Sequence, residues 1–239
     1  MKLLRRLPLI KELIIVGSTY LLYISTGDLI HKDVLSAGQK NAIVIIEIEE
    51  LLGIFREHYI QAWWLANIRS FTIVMNWIYT AGFWPIVGTV SIYVFFKDRD
   101  LYYRYRTTMI SCYLIGVAIY CIFPLSPPKT VQGFGFVDTI ALFGPSQYHL
   151  ATDTISYNAN AAMPSMHVGL SIILSMTWSN VRSFSTRIVP TAYVSLMCLA
   201  VIVTGNHYFL DILAVLPIVW LAIFISKKCI HGTERYRYL

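Results

Sequence analysis

Six long apolar runs punctuate the chain, at about 8–26, 70–96, 107–126, 163–180, 188–206 and 208–226. Each is near the roughly 20 residues that a bilayer-crossing helix needs. Backbone polar groups in lipid must be bonded within the segment, so these runs predict helices rather than open strands. The stretch at about 36–69 reads differently. Ile43, Ile46, Leu51, Leu52, Ile54 and Phe55 alternate with Glu47, Glu49, Glu50, Arg56 and Glu57. So many charges exclude a span. The pattern predicts an amphipathic helix along the membrane interface, anchored by Trp63 and Trp64, or one packed over the bundle's outer mouth.

Composition agrees. The 239 residues are 56% hydrophobic and 13% charged, against about 25% charged in an ordinary soluble domain. The expected fold is therefore all-α and integral to the membrane. It is a six-transmembrane-helix bundle with an extracytoplasmic interfacial helix between the first and second spans, forming a single membrane domain over 1–239. The first run follows Lys2, Arg5 and Arg6, but it is long and carries Lys11 and Glu12, so a retained helix is expected rather than a signal peptide. Cys112, Cys121, Cys198 and Cys229 lack metal-type spacing and read as free thiols.

The net charge of +6 is informative by position. Lys2, Arg5 and Arg6 precede the first span, and Lys97, Arg99, Arg104 and Arg106 follow the second. Arg182 and Arg187 separate the fourth and fifth, and Lys227, Lys228, Arg235 and Arg237 end the chain. With six spans, all four groups fall on one side, which the positive-inside rule makes cytoplasmic. Both termini are then cytoplasmic, and the Gly- and Pro-rich loop 127–162 lies outside. No basic patch with stacking aromatics points to nucleic acid.

Polar residues at the outer ends of the runs carry the candidate chemistry. In Pro164-Ser165-Met166-His167 the proline fits a first helical turn, and the free N–H groups there, with Ser165, form an anion cradle. The alternative is a helix cap beside a buried histidine. His207 and Asp211 lie four apart and share a helix face. A carboxylate accepting from Nδ1–H leaves Nε2 with an exposed lone pair, able to attack phosphorus. The alternatives are a buried ion pair or two ligands of a metal. In Pro127-Pro128-Lys129 the prolines would hold a cation over the outer mouth, or Lys129 simply snorkels. Glu57 and Gln61 share a face and either touch a headgroup or, with Arg56 and His58, form a solvated surface. Asn76, Tyr79 and Tyr208 are supporting donors or plain core residues.

Pro-Ser-x-His, some forty residues, then His-x-x-x-Asp resembles the type-2 phosphatidic acid phosphatase superfamily over roughly residues 50–220. Pro-Pro-Lys, Pro-Ser-Met-His and Gly-Asn-His-Tyr-Phe-Leu-Asp look most like its branch that includes inositol phosphorylceramide synthase. The resemblance implies metal-independent chemistry through a phosphohistidine, with no cofactor. His207 would be the nucleophile, Asp211 its orienter and His167 the general acid. Lys129 and Ser165, with Asn206 and Tyr208, would bind phosphate. Two family cations are absent: Phe136 and Val137 stand where an Arg-Pro pair would follow Lys129, and Val201 replaces an arginine before the nucleophile.

The expected activity is phosphotransfer or hydrolysis on a lipid phosphate at the extracytoplasmic face of the plasma membrane, with headgroup transfer of the phosphoinositol type favoured. Hydrolysis of a polyprenyl phosphate or phosphatidate is the alternative. A non-catalytic proton-linked lipid transporter is a reading of another class, although the polar groups sit at helix ends rather than mid-span.

Overall fold

A helix covers most of each of the six apolar runs, with 123–126, 163–165, 204–206 and Tyr208 left outside. The computed structural model describes residues 7–29, 34–144, 160–181 and 188–236. Their helices are α1 (Leu7–Leu29), α2 (Val34–Leu51), α3 (Glu57–Asn67), α4 (Arg69–Lys97), α5 (Arg99–Ile122), the short α6 (Thr139–Phe143), α7 (Met166–Val181), α8 (Ile188–Val203) and α9 (Phe209–Tyr236). Among the described residues α4, α5 and the Phe209–Cys229 part of α9 are long and apolar enough to cross a membrane. α8 is equally apolar but has 16 residues, about 24 Å of helix against a hydrocarbon layer about 30 Å thick.

The bundle is apolar inside and out. Val168, Leu170, Ile173 and Leu174 of α7 pack with Met197 and Val201 of α8, Val215 and Val219 of α9, and Cys112 of α5. On α9, Leu213, Leu216, Trp220 and Phe224 face outward at helical spacing. Such a stripe suits a hydrocarbon surround and not water. α7 and α9 approach closely at Gly169, where a Cβ would lie 2.5 Å from Val215 Cγ2. That contact sets the helix bearing His167 directly against the helix bearing Asp211. The four cysteines are free thiols, with Cys112 buried and Cys121 exposed.

The segment 36–69 departs from a single interfacial helix. α2 ends at Leu51, the chain turns at Gly53 with φ +71°, and α3 starts at Glu57. The left-handed turn needs a residue without a Cβ. The acidic residues do not all face solvent. Glu47 and Glu50 are exposed, whereas Glu49, Glu57 and Gln61 are buried. Their alternation with apolar residues reflects backbone partners elsewhere in the fold rather than a water-facing surface.

α4 contains a π-helical turn at Ile78–Gly82. Such insertions re-aim side chains and are frequent at functional sites. Here the turn carries Tyr79. At the far end of the bundle, Arg106 pairs with the buried Glu12 of α1, and Ser226 of α9 donates to the Arg104 carbonyl. The basic residues of the α4–α5 turn and of late α9 therefore gather at the end opposite Lys129, His167 and His207. Lys2, Arg5, Arg6, Arg182, Arg187, Arg237 and positions 145–159 of the long loop lie outside the described residues.

Candidate active site

Three loops at one end of the bundle are sewn together by backbone hydrogen bonds. Leu125 N–H donates to Asn160 O and Ala162 N–H returns to Leu125 O. Lys129 N–H donates to Gly205 O, and Ser165 N–H to Asp211 O. These four bonds bring residues from 125, 160–165 and 205–211 to one place. Gly205 adopts φ +70°, and a Cβ there would lie 2.8 Å from Gln61 Nε2, so glycine is required both by the turn and by the space.

His207 is 4% exposed. Its Nδ1 lies 2.7 Å from Ala162 O and 3.3 Å from Asp211 Oδ2. A carbonyl only accepts, so Nδ1 carries the proton and Nε2 keeps its lone pair. The distances rank the partners. The carbonyl is within ordinary hydrogen-bond range and the carboxylate is at its outer edge. Asp211 therefore shares contact with Nδ1 with the Ala162 carbonyl, and Oδ2 has its shorter bond, 2.8 Å, from Tyr208 N–H. Burial, opposed by the Ala162 carbonyl and then reinforced by the Lys129 ammonium, lowers the basicity of His207 to about 4. The resting imidazole is neutral.

This sharing of roles has a measurable consequence. Where a carboxylate alone sets the tautomer, its amide variant costs about 10⁴-fold. Asp211→Asn is expected to lower kcat by only about 10- to 100-fold, because Ala162 O still holds the Nδ1–H; the loss reflects weaker stabilisation of the imidazolium. Steady-state kinetics on the purified variant checks it, and a loss of 10⁴ would restore Asp211 as the dominant orienter.

His167 lies in the first turn of α7, with its ring stacked 4.2 Å from Tyr79 and tilted 4.7 Å from Phe83. It interacts electrostatically with His207. The helix begins at Met166, so Pro164 stands before it rather than in its first turn. Ser165 is fully buried and its Oγ has no partner among the described residues. The N–H groups of Met166, His167 and Val168 likewise have no bonded carbonyl there. The start of α7 thus presents unspent donors.

The start of α9 does not. Tyr208, Phe209 and Leu210 N–H donate to Asp211, Glu57 and Glu49, each at 2.8 Å. Among the described residues, the start of α7 keeps N–H groups that an anion could take up, and the start of α9 does not.

Lys129 sits in a one-turn helix, Pro128–Thr130, with its side chain 12% exposed and bridged at 3.2 Å to Asp138. It is built into the site and does not snorkel. Asp138 is fixed in turn: it caps α6 through Ile140 and Ala141 N–H, and the next residue, Thr139, exchanges two bonds with Asn76. Gln61 donates to Val137 O and Val203 O and accepts from Val137 N–H. Glu57, Gln61 and Asn76 therefore hold backbone and do not face a headgroup. Asn206 donates to Thr204 Oγ1, and the buried Tyr208 donates its hydroxyl to Ser126 O. Val201 is buried, and its carbonyl accepts from Asn206 and His207 N–H. Sequence reasoning missed Ala162 and Glu49. A backbone carbonyl has no side-chain signature, and Glu49 is one of several acids in a mixed segment.

A separate surface cavity of about 370 Å³ lies at the α2–α3 turn, lined by residues including Arg56, His58, Tyr59 and Phe134. Neither His167 nor His207 borders it.

The model of the PAP2 superfamily matches residues 43–225. No curated protein matches the sequence. Among solved structures, the crystal structure of Aquifex aeolicus LpxE aligns with a TM-score of 0.55 at 14% identity, covering 74% of this chain and 94% of that one. That likeness is one of fold.

Proposed function

The chain belongs to the PAP2 superfamily, and on that premise we propose that it is a membrane lipid phosphatase or phosphotransferase working through a phosphohistidine on His207. The observation that carries the reading is the 2.7 Å bond from His207 Nδ1–H to Ala162 O. It leaves the other ring nitrogen with the free lone pair that a nucleophile needs. Nε2 attacks the phosphorus of a lipid phosphate monoester or diester, the P–N bond forms, and the P–O bond to the leaving alcohol breaks. His167 donates a proton to that departing oxygen. In the second step His167 takes a proton from water or an acceptor hydroxyl, whose oxygen attacks phosphorus and releases His207. The donors at the start of α7, Ser165 Oγ and the Lys129 ammonium supply the groups that hold the phosphoryl oxygens. Asn206 and Tyr208 support the turn that presents His207.

Water as acceptor makes the protein a phosphatase. A lipid hydroxyl makes it a headgroup transferase. The motif details Pro-Pro-Lys and Gly-Asn-His-Tyr-Phe-Leu-Asp favour transfer, including the phosphoinositol type, as does the buried Val201 in place of a phosphate-binding arginine. The bundle takes six spans, with the basic end in the cytosol and the site facing the outer leaflet of the plasma membrane. The mechanism employs neither metal nor cofactor.

The test is direct. Purified protein incubated with labelled lipid phosphates and candidate acceptors in EDTA is expected to release or transfer phosphate, with products identified by mass. His207→Ala abolishes both. Activity lost to the chelator and restored by a divalent metal would contradict the mechanism.

A further inference from the structure

Glu49 and Glu57 come from two different helices, are both fully buried, and both end on the first turn of α9. Glu57 Oε1 accepts from Phe209 N–H and its Oε2 from Arg56 N–H. Glu49 Oε1 accepts from Leu210 N–H, but its Oε2 is buried with no donor among the described residues. The Glu57 carboxyl is the nearest acid acting on Glu49. Asp211, the third carboxylate at this helix start, is also fully buried. Among the described residues no cation lies within salt-bridge distance of Glu49 or Glu57; Lys129 is bridged to Asp138. Three adjacent buried acids without a counter-ion cannot all be ionised, because like charges in a dry site repel strongly. A proton on Glu49 removes the conflict and gives the orphaned Oε2 its bond.

We propose that Glu49 and Glu57 form a carboxyl pair sharing one proton, and that this pair positions the His207 nucleophile by clamping the first turn of α9. The inference rests on the reading of His207 above. The geometry makes the clamp specific: bonds to Phe209 and Leu210 N–H fix the two residues after Tyr208, and with them the direction in which the 205–208 turn delivers the imidazole. The titratable groups facing Glu49 are Glu57 from α3 and Asp211 from α9; Tyr208 adjoins all three acids. Burial first, and then the hydrogen bond to Glu57, raise the Glu49 carboxyl to about 9. The shared proton is therefore held at neutral pH and lost as pH rises through that value. Two facing carboxylates then push the clamp apart.

The experiment compares wild type, Glu49→Gln, Glu49→Ala and Glu57→Ala by pH–rate profile and by infrared spectroscopy of the carboxyl stretch. In the wild type kcat should fall as pH rises through about 9. Glu49→Ala and Glu57→Ala should lower kcat at least tenfold with little change in KM. Glu49→Gln, which keeps an acceptor for Leu210 and a donor for Glu57, should restore most of that loss and remove the fall at about 9, leaving only the alkaline fall that loss of the His167 proton imposes. A protonated-carboxyl band that persists at neutral pH and is missing in Glu49→Gln is expected independently of activity. An unchanged alkaline limb in Glu49→Gln, or no such band, would overturn the proposal. If the wild type turns over no lipid phosphate, the reading of His207 fails, and the infrared band still decides whether the pair shares a proton.

Discussion

Replacing His207 by alanine is expected to lower phosphate release or transfer by about four to six orders of magnitude, as removal of a covalent nucleophile does. Among the described residues of the site, no other group is placed to take over this role. In the proposed mechanism His167 is the acid in the first step, and its ring is packed between Tyr79 and Phe83. The Lys129 ammonium is bridged to Asp138. The deletion also leaves Ala162 O without its donor, a cost of about 1–3 kcal/mol. A modest fall in melting temperature should therefore accompany the loss, without unfolding. The same nitrogen sets the acid limit of the free enzyme. Attack needs neutral His207, so kcat/KM should hold at neutral pH and fall as pH drops through about 4. Stability follows the same sign. Between about 4 and the ordinary value of 6.5, the unfolded chain binds the proton and the native state does not, so stability is lost as pH falls through that window.

His167→Gln is expected to show a different signature. Removing a general acid costs about 10²- to 10⁴-fold, but only when the leaving group needs a proton. With a lipid alcohol as leaving group the full loss should appear. With an aryl phosphate the first step needs no acid, and a burst of aryl alcohol equal to the enzyme present should be released. The second step still lacks its base, so turnover should then stall with His207 phosphorylated. Equal losses in kcat/KM on both substrates, or no burst, would remove His167 from the acid–base role.

Much of this was legible in the sequence because membrane helices announce themselves. Long apolar runs can satisfy their backbone only as helices, and a histidine at the edge of such a run is costly enough to signal a purpose. The pairing of His207 with Asp211 was expected from helical spacing, but His207 stands in the turn before α9, which begins at Phe209, and reaches Asp211 from there. The Ala162 carbonyl did not, because backbone acceptors are brought in by the Leu125, Ala162 and Ser165 crossings between distant loops. Glu57 and Gln61 read as a headgroup contact or a solvated face, and Glu49 as one acid of an amphipathic helix, for a related reason. Their partners are N–H and C=O groups of α9, the 137 loop and the end of α8, and a pattern of side chains along one segment cannot show them. The break at Gly53 and the π turn at Ile78–Gly82 were likewise hidden within continuous patterns. The Gly205 turn is where chain and chemistry meet. It stands between buried Thr204 and Asn206 and leads straight to the nucleophile.

Everything proposed for this site depends on the two imidazoles flanking one phosphorus atom. A structure determined with vanadate bound settles this. The expected result is vanadium bonded to His207 Nε2, with His167 at hydrogen-bond distance from the opposite apical oxygen and Ser165 and the α7 N–H groups on the equatorial ones. Vanadate seated away from His207, or joined to it with His167 out of reach, would contradict it.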